Sequence, residues 1–515
     1  MTVLLTTRRD INLDTIHRVA WRGESVRIAD SALERIASCR ASFLDLIEKD
    51  PNVVIYGVTT AMGELASHRL SHEYRDRHAR IKPFPAATSF GDYLPDRVVR
   101  SIVLARLANF VEGHAATTPR IAKAVAGMLD GGPLPAVAAS GQGGSGEIQA
   151  LYPLFAELSM RFELEVKERG SLINGSPCAA ALVADTALTA CRRIRLALKT
   201  FALSIEAFRA PLEHYDEALD SLWGDDNEAK ALAGLRGLLV GACDGRRNYQ
   251  APVSYRITPR LLGQAYRALA TAERAANVSL SSVSDNPVYI APDATHRYGR
   301  CISTGGYHNA MAAPAMDELS AIWADLSLLA GRQAVKLLDG RASHMPDMLL
   351  VGREAGESDG RGNIGYIPMA MSGYLEQAKS AAQTTFIPGS DTGGAGQDDV
   401  GTPSFLAWAK EAKAGRCFDA SLAMLAVIAS QALHVTGRQA PANLRGFVEL
   451  VRGAVPPVNE DRILGPELEH LTDLFTEQVL GADEAGCALE MAIANAPTFE
   501  VQPKRKRQPS ISAAL

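Results

Sequence analysis

The sequence predicts a mainly α fold, a long antiparallel helical bundle with a smaller N-terminal region of helices and loops. Two observations carry this. From about Asp185 onward the chain is dominated by long, alanine-rich amphipathic segments, examples being 188–208, 259–278, 310–338 and 420–435, with apolar residues at helical spacing. Glycine and proline clusters at 172–177, 284–287, 299–306 and 388–403 break them, and there is neither regular βα alternation nor a fixed-period repeat.

Taken in order, residues 2–6 read as a short leader strand and 31–48 as a helix. Residues 52–55 are a β-like run leading into Tyr56-Gly57-Val58-Thr59-Thr60-Ala61-Met62-Gly63, too rich in Gly and Thr for a helix and therefore a loop. A helix follows over about 96–112, with Val99, Ile102, Val103 and Leu107 on one face. Next comes PLPAVAASGQGGSGEIQALYPLFAEL, from Pro133 to Leu158. Ile148, Leu151, Phe155 and Leu158 recur at helical spacing, so a helix starts near Glu147. The expected division is an N-terminal region 1–185, a helical bundle 186–500 and a disordered basic tail 501–515 around Lys504-Arg505-Lys506-Arg507.

Composition limits the function classes. Charged residues make up 22% and hydrophobic ones 47% of 515 residues, ordinary for a soluble globular protein. A net charge of −5 gives no global basic field, so nucleic acid is not an expected partner. The seven cysteines contain no CxxC pair and the eleven histidines no ligand spacing, so no metal is expected. Arg8, Arg9 and Asp10 precede no long apolar run, which argues against a signal peptide and for the cytoplasm. The apolar stretch 421–435 contains Ser430, Gln431 and His434 and reads as a buried helix rather than a membrane span.

Four glycines and two serines lie just before the helix start at Glu147. Alone, this run reads as a tight or phosphate-binding turn, because N–H groups at a helix start attract electron-rich groups. No Lys follows in the phosphate-loop pattern. A sharper chemistry is open to Gly144-Ser145-Gly146. Attack of the Gly146 nitrogen on the Gly144 carbonyl would close a five-membered ring, and dehydration of Ser145 would leave an exposed methylidene, a strong electrophile. Flanking glycines permit the backbone compression that closure needs.

SGQGGSGEI resembles the prosthetic-group motif of the aromatic amino acid ammonia-lyase and aminomutase family, which includes histidine and phenylalanine ammonia-lyases. That motif reads roughly G-S-x-G-A-S-G-D-L, and its Ala-Ser-Gly becomes 4-methylideneimidazol-5-one. The resemblance implies the same group from Gly144, Ser145 and Gly146. Ala139-Ser140-Gly141 lies five residues upstream and does not fit the motif's distance to the helix. Other motifs follow in family order. Tyr56 to Gly63 is similar to Y-G-V-N-T-G-F-G, whose tyrosine is the catalytic base, and Leu172-Ile173-Asn174-Gly175 to L-x-N-G, whose asparagine contacts the prosthetic group. QAPVSYRITP shares Gln250, Ser254, Arg256 and Pro259 with Q-D-x-Y-S-x-R-x-x-P. Ser284-Asp285-Asn286-Pro287, Gly305-Gly306-Tyr307-His308 and Gln397-Asp398-Asp399 resemble S/T-D-N-P, G-N-F-H and Q-E-D. The resemblance covers about residues 10–440 and implies the family's helical-bundle fold.

It also implies roles. Tyr56, Gly144, Ser145 and Gly146 would be catalytic, and Asn174, Gln250, Arg256, Asn286, Tyr307, His308 and Asp398 would bind substrate. An arginine fork suits the carboxylate of an amino acid, and Arg256 is the candidate. A free tyrosine titrates near pH 10, so Tyr56 acting as a phenolate near neutrality needs roughly 3–4 kcal/mol of stabilisation from nearby positive charge. The departures point to an unusual amino acid or amine. Val253 stands where the family has a second catalytic tyrosine, Pro85-Ala86 where a selectivity pair belongs, Asp398 for a glutamate and Gly306 for an asparagine. Poor activity on histidine, tyrosine and phenylalanine is the consequence. Two alternatives stay open: a member of the fold that lacks the electrophile, and a non-catalytic helical binding protein. Family members form homotetramers with shared sites. Tyr56, Ser145, Arg256 and Asp398 lie on separate stretches joined by long helices. A helix of thirty residues spans about 45 Å, so residues at opposite ends of one chain's bundle do not converge easily, and Tyr56 and Arg256 of one site are expected from different subunits.

Overall fold

A computed structural model describes residues 2–82, 84–247, 249–352, 361–389 and 396–480, with Glu64 and Leu480 described by their backbone alone. The basic tail expected at 501–515 lies outside the described residues.

Strand β1 (Thr2–Leu5) pairs in parallel with β2 (Ser25–Ile28), Val3 facing Val26 and Leu5 facing Ile28. Alternate residues are buried, as a half-covered strand requires. Helix α1 (Asp30–Lys49) agrees with the expected helix and buries Ile36, Cys39, Phe43 and Leu46. Residues 52–55 form no strand: the Ile55 N–H donates to Thr59 Oγ1 at 2.7 Å, so this backbone is satisfied within its own turn. Helix α2 (Asp96–Arg106) ends short of the expected Glu112 and tightens into a 3-10 turn at Leu107–Asn109. Helix α3 (Ile148–Arg161) starts where the apolar spacing places it.

The bundle consists of α4 (Pro177–Phe208), α5 (Thr258–Leu280), α6 (Ala312–Leu338), α7 (Ile367–Ala381) and α8 (Ser404–Val435). A short antiparallel ribbon, β3 (Val288–Ile290) with β4 (Arg300–Ile302), separates α5 from α6. Both α4 and α8 begin well before the expected 188 and 420. All of α4 except Arg195 and Lys199 is buried, as a central helix enclosed on every side should be. By length and composition α8 could cross a membrane, yet 89% of its most apolar window is buried inside the protein.

One polar knot ties three of these helices. Arg193 of α4 donates from Nε to Asp419 Oδ1 at 2.9 Å and from Nη1 to Glu411 Oε1 at 3.4 Å, both on α8. Trp323 of α6 donates to the same Glu411 oxygen at 2.7 Å and stacks on Phe418. Gly415 makes room for the guanidinium: a Cβ there would lie 2.5 Å from Arg193 Cζ. The buried charges are thus paired and hydrogen-bonded together.

Candidate active site

Three bundle helices begin at one end of the molecule, each just after a stretch singled out by sequence. Helix α4 starts after Asn174-Gly175, α6 after Tyr307-His308 and α8 after Gln397-Asp398. Helix α5 runs the other way and delivers Asn286 to the same end. A cavity of about 560 Å³ opens there, lined by Tyr56, Ser145, Gly146, Asn174, Asn286, Tyr307 and Asp398 among others. Its size suits a small molecule. Tyr56, Ser145 and Asp398 thus meet within one chain, because the loops carrying them cap the same bundle end.

The glycine-rich turn is anchored from two directions. Behind it, the buried Glu147 carboxylate accepts from the N–H groups of Cys178 at 2.5 Å and Ala179 at 2.7 Å, in the first turn of α4. Burial outweighs these bonds and pushes the Glu147 pKa up to about 7. In front, the Thr402 N–H donates to the Gly144 carbonyl oxygen at 3.2 Å. Ser145 Oγ donates to Asp398 Oδ1 at 2.8 Å, so the carboxylate reaches the serine despite its shorter side chain. The triad folds back on itself, since a Cβ on Gly144 would lie 3.3 Å from the Gly146 oxygen. This compact backbone, a polarised Gly144 carbonyl and a bonded serine hydroxyl fit ring closure.

Tyr56 is half-buried and its phenol oxygen accepts from the Gly63 N–H at 3.0 Å. Sequence reasoning required its pKa to fall. In this chain it rises, chiefly through burial, with Asp398 and Tyr307 adding to the effect. The Gly63 bond and the Arg169 guanidinium act the other way and are outweighed. Asn174 Nδ2 donates to the Asn286 carbonyl at 2.6 Å, and Asn286 Oδ1 accepts from the Thr304 N–H at 2.9 Å. These asparagines lock the turns at 174 and 286 together.

Three of the expected site residues lie elsewhere. His308 does not line the cavity; its Nε2 is 3.2 Å from the Gly401 carbonyl, beside the glycine-rich turn. Gln250 is exposed, and Arg256 Nε donates to the Ala251 carbonyl at 3.0 Å. Arg256 precedes the start of α5, while the cavity lies past its end. Helix α5 has 23 residues, about 35 Å at 1.5 Å per residue, so Arg256 cannot reach the cavity of its own chain. Pro85 and Ala86 are not among the lining residues either. Met62, Ile148, Tyr152 and Ile173 supply apolar and aromatic surface instead. Sequence reasoning missed Arg169, a cation in the lining. Its signal was weak: an arginine five residues before Asn174 on a short helix.

A sequence profile for aromatic amino acid lyases matches residues 11–159 and 153–453. The chain belongs to that family. It is accordingly a carbon–nitrogen lyase or aminomutase-type enzyme. Histidine ammonia-lyase of Gloeobacter violaceus is 26% identical over 509 residues, covering 92% of this lyase and 96% of the relative. Among solved structures, ergothionase from Treponema denticola superposes with a TM-score of 0.83 at 19% identity, covering 93% of this chain and 99% of that one. Tyrosine aminomutase from Streptomyces globisporus gives 0.80 at 21% identity, covering 93% and 98%. At such identities these structures establish the shared fold.

Proposed function

We propose that this lyase removes or migrates the amino group of a non-standard amino acid or amine, using 4-methylideneimidazol-5-one formed from Gly144, Ser145 and Gly146. One observation supports this most: Ser145 lines the same cavity as Tyr56, Asn174 and Asp398. Once formed, the group supplies an electrophile that makes the substrate's amine easier to expel. The remaining steps belong to side chains. Tyr56 takes the proton from the carbon next to the one bearing the amine. Asn174 and Asn286 hold the cavity wall, and Asp398 orients the Ser145 position. Arg256 of a neighbouring subunit binds the substrate carboxylate by its fork, since its own chain cannot bring it there. Homotetrameric assembly supplies that neighbour. The rise in the Tyr56 pKa is then a property of the isolated chain, which added positive charge from the neighbour opposes.

A second reading, a family member without the electrophile, draws support from Gly144 in place of alanine and from the raised Tyr56 pKa. One measurement separates the two. Peptide mapping of the purified protein should find the Ser145 peptide lighter by two waters, with the Ser140 hydroxyl intact. An unmodified Ser145 in an active sample removes the prosthetic group from the mechanism.

A further inference from the structure

Arg169 lies in the cavity lining and has no part in the mechanism above. It stands on the short helix Glu168–Ile173 and is 8% exposed. Its Nη2 donates to Met62 Sδ at 3.3 Å and lies 3.2 Å from His78 Nε2. Neither Nε nor Nη1 bonds any described residue, and no described carboxylate lies within ion-pair distance. His78 does not neutralise it. Burial and the adjacent guanidinium hold that ring near a pKa of about 4, so it is uncharged at neutral pH.

Neighbouring charges are committed elsewhere. Lys167 Nζ pairs with Asp285 Oδ2 at 2.8 Å. Glu168 accepts from Thr118 Oγ1 at 2.6 Å and from the Glu165 N–H at 2.9 Å. Asp398, the carboxylate that lines the cavity among the described residues, accepts from Ser145. What remains is a buried guanidinium with spare donors, beside Met62, Tyr152 and Ile173, facing a cavity sized for a small molecule. A buried charge without a partner is costly. A planar fork is also well shaped for a carboxylate.

We propose that Arg169 is a specificity-determining residue that binds an anionic group on the substrate's side chain, so that the substrate is an amino acid with a second carboxylate. This rests on the cavity being the amino acid site, with Arg256 of a neighbouring subunit taking the first carboxylate. Arg169 then rejects substrates with a cationic side chain by repulsion, and neutral ones because its donors stay unpaired.

The test is binding of unreactive acids to the full chain in its native assembly, measured by calorimetry. The probes are 3-phenylpropanoate and its 3- and 4-carboxyphenyl analogues, none of which carries an amine. At least one dicarboxylate should bind about tenfold more tightly than 3-phenylpropanoate, the gain expected of a charge-assisted contact. Arg169→Met should abolish that preference by weakening the dicarboxylates, while 3-phenylpropanoate binds no more weakly than to the native protein and gains affinity where the unpaired guanidinium had opposed it. Arg169→Lys, which keeps the charge, should retain part of it and serves if the Met variant folds poorly. Equal affinities in the native protein, no binding of any probe, or equal weakening of all three acids by Arg169→Met would overturn the proposal. None of these readouts needs turnover, so they stand apart from the peptide-mass test of Ser145.

Discussion

Glu147 adjoins the reactive triad and holds the start of α4, so its protonation bears on both. Its carboxyl titrates near 4.5 when exposed and near 7 in the fold. Between those values the folded state holds the extra proton and the unfolded state does not. Stability from this group is therefore full below about pH 4.5 and lost as pH rises through 7. Glu147→Gln cannot titrate, so its melting temperature should fall less than the native one between pH 5 and 8. Parallel melting curves across that range would refute the assignment. Much of the cavity lining was legible in the sequence because Tyr56, Ser145, Asn174, Asn286, Tyr307 and Asp398 each sit in a short local pattern. Arg169 has no such pattern. Its importance comes from having no carboxylate partner among the described residues, which only the packed structure reveals. The direction of the Tyr56 pKa was hidden for the same reason, since burial is set by segments far along the chain.

Element ends were read less well than element existence. The sequence suggests that α4 starts near 188 and α8 near 420, because Pro177 looks like a breaker and Lys410, Glu411, Lys413, Gly415 and Arg416 interrupt the apolar spacing. Pro177 occupies the first turn, where its missing N–H costs nothing. Glu411 and Gly415 are explained by Arg193, a residue on another helix that no local window could include. This yields a prediction at the level of helix packing. Gly415→Ala drives a methyl group into the Arg193 guanidinium. Although alanine is the better helix former, the variant should lose about 1–3 kcal/mol of stability through overpacking. Chemical denaturation with an unchanged midpoint would show that the knot has slack.

For the whole molecule, the proposed role of Arg256 needs a second subunit, because the length of α5 separates it from the cavity of its own chain. The expected state is a homotetramer in which Tyr56 and Arg256 of one site come from different subunits. Mixing inactive Tyr56→Phe and Arg256→Ala chains under conditions of subunit exchange should restore part of the activity, because some sites then carry both native residues. A monomer by light scattering, or mixed tetramers without recovered activity, would count against it. Helix α8 has a further consequence, for the order in which the molecule can be built. It fills the bundle's centre, packing on both α4 and α6, yet it lies in the last quarter of the chain. A ribosome releases the earlier helices first, so their α8-facing surfaces stay bare until residue 404 and its successors emerge. The growing polypeptide must hold those apolar faces in solution before their cover exists.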